Sequence, residues 1–384
     1  MRKLHLIALC IAMVALLAAC GGEEKKGEEK KAEAPAPAAK LVLGVAGAHS
    51  GDLASYGLPS VNAAKLVAAK FNAAGGVNGA MVEVAAQDDQ CKPELATNAA
   101  TKMVSDDVKI VLGHICSGAT KAALPIYLES KIVLMSPSAT NPPLTQSGDY
   151  PNFFRTIAPD DAQASLEVAF AKGLGLKKIA VIHDKGDYGK GFASFCKTFI
   201  EQEEGIDVVL FEGVTPGAVD YSAVVQKIKS SGADGVIFGG YHPEASKIVS
   251  GMRKKNLEVP FLSDDGVKDE TFIKVAGKYA EGVYATGPMD FSSNPIYQEA
   301  VAAHKAEFGA DPGPFFPEAY SAAMALLTAV QNAGGTDYDK VTEALRTQYV
   351  DTAVGKIKFD AKGDAEGVGF SVYQVRDGQY VEVK

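Results

Sequence analysis

The chain has 384 residues, of which 47% are hydrophobic and 22% charged, and its formal net charge is −9. That length exceeds what one compact core holds, so two domains are expected. The acidic balance, with no basic cluster interleaved with aromatics, argues against nucleic acid as a partner.

Residues 1–19 read as an export signal, because Arg2 and Lys3 supply positive charge ahead of an apolar run over 4–17 that is too short for a convincing membrane span. Leu17-Ala18-Ala19-Cys20 resembles a bacterial lipobox. That resemblance implies a lipidated Cys20 as first mature residue, and hence an exported, membrane-anchored protein of the periplasm or cell surface. Residues 20–39 are charged and Ala/Pro-rich, with no large apolar side chain to build a core. About 20 such residues span on the order of 25 Å as a flexible tether.

From Lys40 onward, strand-like runs alternate with helical patterns, which points to an α/β chain with parallel sheets. Leu41-Val42-Leu43-Gly44-Val45 leads into a helical spacing over Val61 to Lys70. The buried run at Val108 to Leu112 passes through the small-residue turn Gly113-His114-Ile115-Cys116-Ser117-Gly118 into a second helix. Unpaired amides and a hydroxyl at such a helix start make an anion site. Ile132-Val133-Leu134-Met135 then ends in Ser136-Pro137-Ser138-Ala139-Thr140, a neighbouring hydroxyl-rich loop. Further strands are expected at Lys178 to Ile182, Val208 to Phe211, Gly235 to Phe238 and Val259 to Leu262. In open α/β sheets ligands bind beyond the carboxyl ends of strands, so the loops that follow these runs are the candidate site. With Trp absent, its aromatic wall must come from Tyr and Phe.

Of five cysteines, Cys10 leaves with the signal and Cys20 is assigned to lipid. Cys91 and Cys116 both follow strand-like segments, so they can sit on adjacent loops and pair; Cys196, in a helical context, reads as a buried inert thiol. No metal-ligand spacing, nucleophile elbow, phosphate loop or complete dinucleotide loop occurs, so no cofactor, metal or catalytic residue is expected. His114, His183 and His242 each follow a strand, and bonds to nearby backbone are the simpler reading of all three.

Taken in order, Gly47-Ala48-His49-Ser50-Gly51, Phe71-Asn72-Ala73-Ala74-Gly75-Gly76, Asp88-Asp89-Gln90-Cys91, Gly113 to Ser117, Ser136 to Thr140, His183-Asp184-Lys185, Gly239-Gly240-Tyr241-His242-Pro243-Glu244 and Asp265-Gly266-Val267 resemble the leucine/isoleucine/valine-binding proteins of ABC importers. The resemblance covers almost everything after Lys40. It implies two Rossmann-like lobes, 40–158 plus 289–368 and 159–288 plus 369–384, joined by a three-strand hinge, the type I periplasmic binding protein fold. It also implies a monomeric receptor, not an enzyme, that traps an aliphatic L-amino acid and delivers it to a membrane ABC permease.

Position by position, the resemblance gives the ligand's carboxylate to Ser117 and the Thr140 amide, and its ammonium to the Ser138 carbonyl, the Thr140 hydroxyl and Asp265. Tyr56, Ile115, Tyr188, Tyr241 and Phe315 would surround the side chain, and Cys91–Cys116 would be a disulfide bracing the Ser117 loop. Singly, Ser117 and Thr140 also read as helix caps and Asp265 as a turn residue. The chain departs from the family in two places: Asp265 stands where a longer Glu is usual, and Ser138 where a small Ala is common. Both bear on which amino acid fits. The same fold also serves sensing receptors, so a sensor acting through a separate signalling partner is the alternative.

Overall fold

The computed structural model describes residues 39–383. The export signal, Cys20 and the tether up to residue 38 lie outside the described residues. Among the described residues no helix is long and apolar enough to cross a membrane, and no cluster of His, Cys, Asp and Glu is arranged to hold a metal ion.

The first half of the chain alternates strictly: β1 (Lys40–Gly47), α1 (Ala54–Ala73), β2 (Met81–Asp88), α2 (Pro93–Ser105), β3 (Ile110–Leu112), α3 (Ser117–Glu129), β4 (Val133–Ser136), the short α4 (Pro143–Gln146) and β5 (Phe153–Arg155). The strands form one parallel sheet in the order β2-β1-β3-β4-β5. β3 and β4 are buried throughout, as strands covered on both faces must be, which is why they read as continuous apolar runs. After β1 the chain goes to one edge, to β2, and then returns to β1's other side as β3. The loops after β1 and β3 therefore part around a crevice at a topological switch point.

A second sheet repeats the device. α5 (Asp160–Gly173) precedes β6 (Lys178–His183), α6 (Asp187–Gln202), β7 (Asp207–Gly213), α7 (Ser222–Ser231), β8 (Gly235–Gly239), α8 (His242–Lys254), β9 (Phe261–Ser263), a 3₁₀ turn at Asp265–Val267, α9 (Glu270–Ala276) and β10 (Tyr284–Pro288). The order is β7-β6-β8-β9, all parallel, so the loops after β6 and β8 again flank a switch point. The strand expected from Val259 begins only at Phe261, because Pro260 has no N–H to give a ladder. The helix expected over Val61 to Lys70 extends back to Ala54.

The chain then returns to the first sheet with α10 (Pro295–Phe308), α11 (Phe316–Ala333), α12 (Tyr338–Thr347) and the hairpin β11 (Val350–Thr352) and β12 (Gly355–Ile357). Ala300, Leu326 and Leu345 share a core with Leu43 and Val67. A last passage brings β13 (Phe370–Arg376) and β14 (Gln379–Glu382) beside β10, where Val375 packs into the core of Phe238 and Ile248. The backbone thus passes three times between the two sheets, after β5, after β10 and before β13.

Two local features hold the loops of the first sheet in place. Gly113 has φ +129° and lies so close to β1 that a Cβ would sit 2.0 Å from the Ala46 carbonyl oxygen, so only glycine fits where β3 turns toward α3. The fully buried Arg155 donates to Asp364 Oδ1 (2.5 Å), the Ala139 and Asn141 carbonyls (3.3 and 3.0 Å) and Thr145 Oγ1 (2.5 Å), pinning the loop after β4.

Candidate functional site

Loops from both sheets converge on a small cavity with ≈ 270 Å³ of unfilled space, part of it open to solvent. Tyr56, Ile115, Cys116, Ser138 and Phe315 line it from the first sheet's side, and Tyr188, Tyr241, Asp265 and Gly266 from the second's. Beyond Asp265 and Phe315 the cavity adjoins a wider cleft bordered by Leu58, Lys268 and Glu318.

Ser117 and Thr140 do not line the cavity; they lie buried beside the lining residues Cys116 and Ser138. Ser117 opens α3, where the first-turn amides lack intrahelical partners. Its Oγ accepts from the Asn141 N–H at 3.3 Å, which leaves its own O–H free to donate. Thr140 Oγ1 is fully buried, with the Asp160 carboxyl as a polar neighbour and no hydrogen bond of good geometry among the described residues. Such orphans in a native fold call for a partner.

The second sheet supplies a carboxylate. Asp265 begins the turn after β9 and is 2% exposed. Its Oδ1 accepts from the Tyr188 hydroxyl, that same hydroxyl oxygen accepts from the Gly266 N–H at 2.9 Å, and Oδ2, with the Gln163 side chain nearby, has no hydrogen bond of good geometry among the described residues. Burial pushes the Asp265 carboxyl up to about 6, against the opposing pull of the Tyr188 bond. Burial also raises Asp160 and Asp264, and the Asp265 charge raises both further. The desolvated Asp265 carboxylate attracts a cation, because an ammonium relieves the cost of keeping it ionised.

Aromatic rings build the apolar wall. Tyr56 lies 6.0 Å from Tyr241 and 5.9 Å from Phe315 between centroids, and Tyr188 lies 5.1 Å from Tyr241. The Tyr56 hydroxyl donates to the Gly266 carbonyl at 2.6 Å, joining the two sheets' loops across the cavity. Burial raises the Tyr56, Tyr188 and Tyr241 hydroxyls well above the usual phenol range, so all three stay neutral. Phe315 adopts a left-handed backbone, φ 58°, just before α11. A bulky residue adopts that backbone at a cost on the order of 1 kcal/mol, and here it aims the ring at Tyr56.

The Ser138 hydroxyl donates to the Ile115 carbonyl at 2.8 Å. Its one proton is thus already committed to backbone. Cys91 and Cys116 form a disulfide with Cα atoms 5.5 Å apart, tying the loop after β2 to the residue before Ser117, while Cys196 is a buried free thiol. Behind that loop His114 bonds Asp89 Oδ2 (2.5 Å) and the Tyr127 hydroxyl (3.1 Å). His183 Nδ1 accepts from the Lys185 N–H at 3.0 Å, and the His242 ring packs 5.5 Å from Tyr56. Neither ring nitrogen of His242 has a hydrogen-bond partner among the described residues, so of the three only His183 bonds nearby backbone as expected, and His114 is held by side chains instead. Gly266 and Cys116 complete the wall although sequence marked them for no ligand contact. Only its place after Asp265 could have signalled Gly266.

A sequence profile described as periplasmic binding protein matches residues 40–379. The chain belongs to the periplasmic binding protein family. It is accordingly an exported solute-binding protein and not an enzyme, with the type I fold of two parallel-sheet lobes. It is similar to the leucine-, isoleucine-, valine-, threonine- and alanine-binding protein of Pseudomonas aeruginosa, 38% identical over 346 residues, covering 90% of this chain and 92% of that one. The Leu/Ile/Val-binding protein of Escherichia coli is 33% identical over 334 residues, covering 87% and 90%. Among solved structures, a branched-chain amino acid transporter substrate binding protein from Streptococcus pneumoniae, in complex with isoleucine, aligns with TM-score 0.79 at 26% identity, over 90% of this chain and 100% of that one.

Proposed function

We propose that this periplasmic binding protein captures an aliphatic, branched-chain L-amino acid between two closing lobes, 40–158 plus 289–368 and 159–288 plus 369–384, and delivers it to an ABC permease. The observation that carries this reading is the buried Asp265 carboxyl in the lining of an aromatic cavity, its Oδ2 without a hydrogen bond of good geometry, with the Thr140 hydroxyl of the other sheet's loops buried behind that lining. The ammonium of an amino acid suits both. Ser117 and the Thr140 N–H take the carboxylate at the start of α3, where the helix dipole favours an anion. The Ser138 carbonyl, Thr140 hydroxyl and Asp265 take the ammonium, and Tyr56, Ile115, Tyr188, Tyr241 and Phe315 enclose the side chain.

The names of the relatives support an aliphatic ligand, and so does the committed Ser138 hydroxyl, which leaves the wall apolar. Because the site is shared between two lobes, ligand binds the closed form better than the open one and shifts the population toward it. The same reading has the protein act as a monomer, held at the membrane by a lipid on Cys20. Titration calorimetry of ligand-stripped protein against the common amino acids tests it. One-to-one binding of leucine, isoleucine or valine, with polar and charged amino acids excluded, is expected. Absence of binding by any of them would overturn the proposal.

A further inference from the structure

Beside the carboxylate end of the site sits a residue that no sequence motif marked. Asn141 follows Thr140 and is 9% exposed. Three bonds fix it. Its N–H donates to Ser117 Oγ at 3.3 Å, and its carbonyl accepts from the Arg155 guanidinium at 3.0 Å. Its side-chain amide donates in the other direction, to the backbone carbonyl of Asp187 at 2.7 Å. Asp187 is the first residue of α6, on the second sheet, and the next residue is Tyr188, whose hydroxyl donates to Asp265. One residue therefore connects the hydroxyl at the carboxylate end with the Tyr188–Asp265 pair at the ammonium end.

The contact is close. A Cβ at Gly191, one turn along α6, would lie 2.3 Å from Asn141 Nδ2. The absence of a side chain there is what allows α6 to reach the amide. An ion pair from Lys121 to Asp187, 2.8 Å long, spans the same gap, but both side chains are exposed and such pairs contribute little.

We propose that Asn141 is a positioning residue that couples capture of the ligand's carboxylate to closure of the second lobe. The inference rests on the amino-acid-binding reading above. A carboxylate on Ser117 orders the hydroxyl that accepts from Asn141, and the Asn141 amide then holds α6 where Tyr188 meets Asp265. The Asp187 bond exists only when the lobes are together, so it stabilises the closed state alone. A contact confined to that state slows ligand escape and leaves the encounter with the open form unchanged.

The test is stopped-flow tyrosine fluorescence with L-leucine on the ligand-stripped protein, which separates association from dissociation. Asn141→Ala is expected to speed dissociation about tenfold, the loss of one buried hydrogen bond, with association changed by less than about twofold. Gly191→Ala is expected to speed dissociation by at least about tenfold when Asn141 is present and to have no added effect in the Asn141→Ala background, where the clash is gone. That loss would run against the better helix propensity of alanine, so a merely structural effect of the helix would not produce it. An Asn141→Ala dissociation rate within about threefold of the parent overturns the coupling, as does an equal effect of Gly191→Ala in both backgrounds. Should the Gly191 variant fail to fold, the Asn141→Ala rates decide alone. Failure of the parent chain to bind L-leucine or any other common amino acid is a separate outcome, which removes the binding reading and the coupling with it.

Discussion

Replacing Asp265 by Asn removes one charge and nearly nothing else. The two side chains are isosteric, and the Tyr188 hydroxyl can donate to the amide oxygen as it does to Oδ1. What disappears is the partner of the ligand's ammonium. At an effective dielectric of about 20, opposite unit charges 4 Å apart attract by about 4 kcal/mol, and stranding one member of a buried pair costs about 3–5 kcal/mol. The expected loss is therefore about 3–4 kcal/mol, or roughly 200- to 1000-fold in Kd. Stability without ligand should move the other way, since a buried carboxylate raised to about 6 is partly kept ionised at neutral pH only against the cost of burial. Calorimetric titration with L-leucine measures the first quantity and thermal melting of stripped protein the second. An Asp265→Asn protein that binds within about threefold of the parent would refute the ammonium assignment. So would one in which affinity and unliganded stability fall together, because that pattern marks a damaged fold.

The remaining predictions use the same handles. Because Asp265 sits near 6 without ligand, the parent's affinity should hold above pH 7 and fall toward tenfold per pH unit below about 6 as the carboxyl takes a proton, whereas Asp265→Asn should show no such fall; titrations at pH 5 to 8 check this. Ser117→Ala removes a donor to a charged group and should weaken binding by about 1.5–3 kcal/mol, read by calorimetry. Ser138→Ala should leave affinity for leucine and valine within about threefold and cost about 1 kcal/mol of stability, since its hydroxyl bonds the Ile115 carbonyl; a larger affinity change would mean that the hydroxyl faces the ligand. Reducing Cys91–Cys116, which closes a span of 25 residues, should cost about 3.5 kcal/mol in denaturant unfolding.

The alternation of apolar runs and helical spacings already specified an α/β chain, because strands covered on both faces must be apolar throughout and crossover helices must present one apolar face. Ile110–Leu112 and Val133–Ser136 are legible for that reason. Asp265 at the cavity was legible as a loop residue after a strand, because loops after parallel strands face the crevice, whereas Ser117 and Thr140 also follow strands yet lie buried behind the lining. Strand ends were less so: Pro260 moved one start, since a missing donor acts only once its ladder neighbour is known.

Local sequence could not decide which atoms remain unpaired. The Ser138 hydroxyl looked like a polar wall until the Ile115 carbonyl, 23 positions away, took its proton. Thr140 Oγ1 and Asp265 Oδ2 looked like ordinary cap and turn groups until the fold buried them without a hydrogen bond of good geometry. Asn141 carries no motif at all, and its meaning comes from Asp187, 46 positions on, and from the empty space at Gly191. Periodicity and side-chain chemistry are local and so can be read along the chain. Satisfaction of a buried polar group depends on partners distant in sequence, and only the tertiary structure brings them within hydrogen-bond reach.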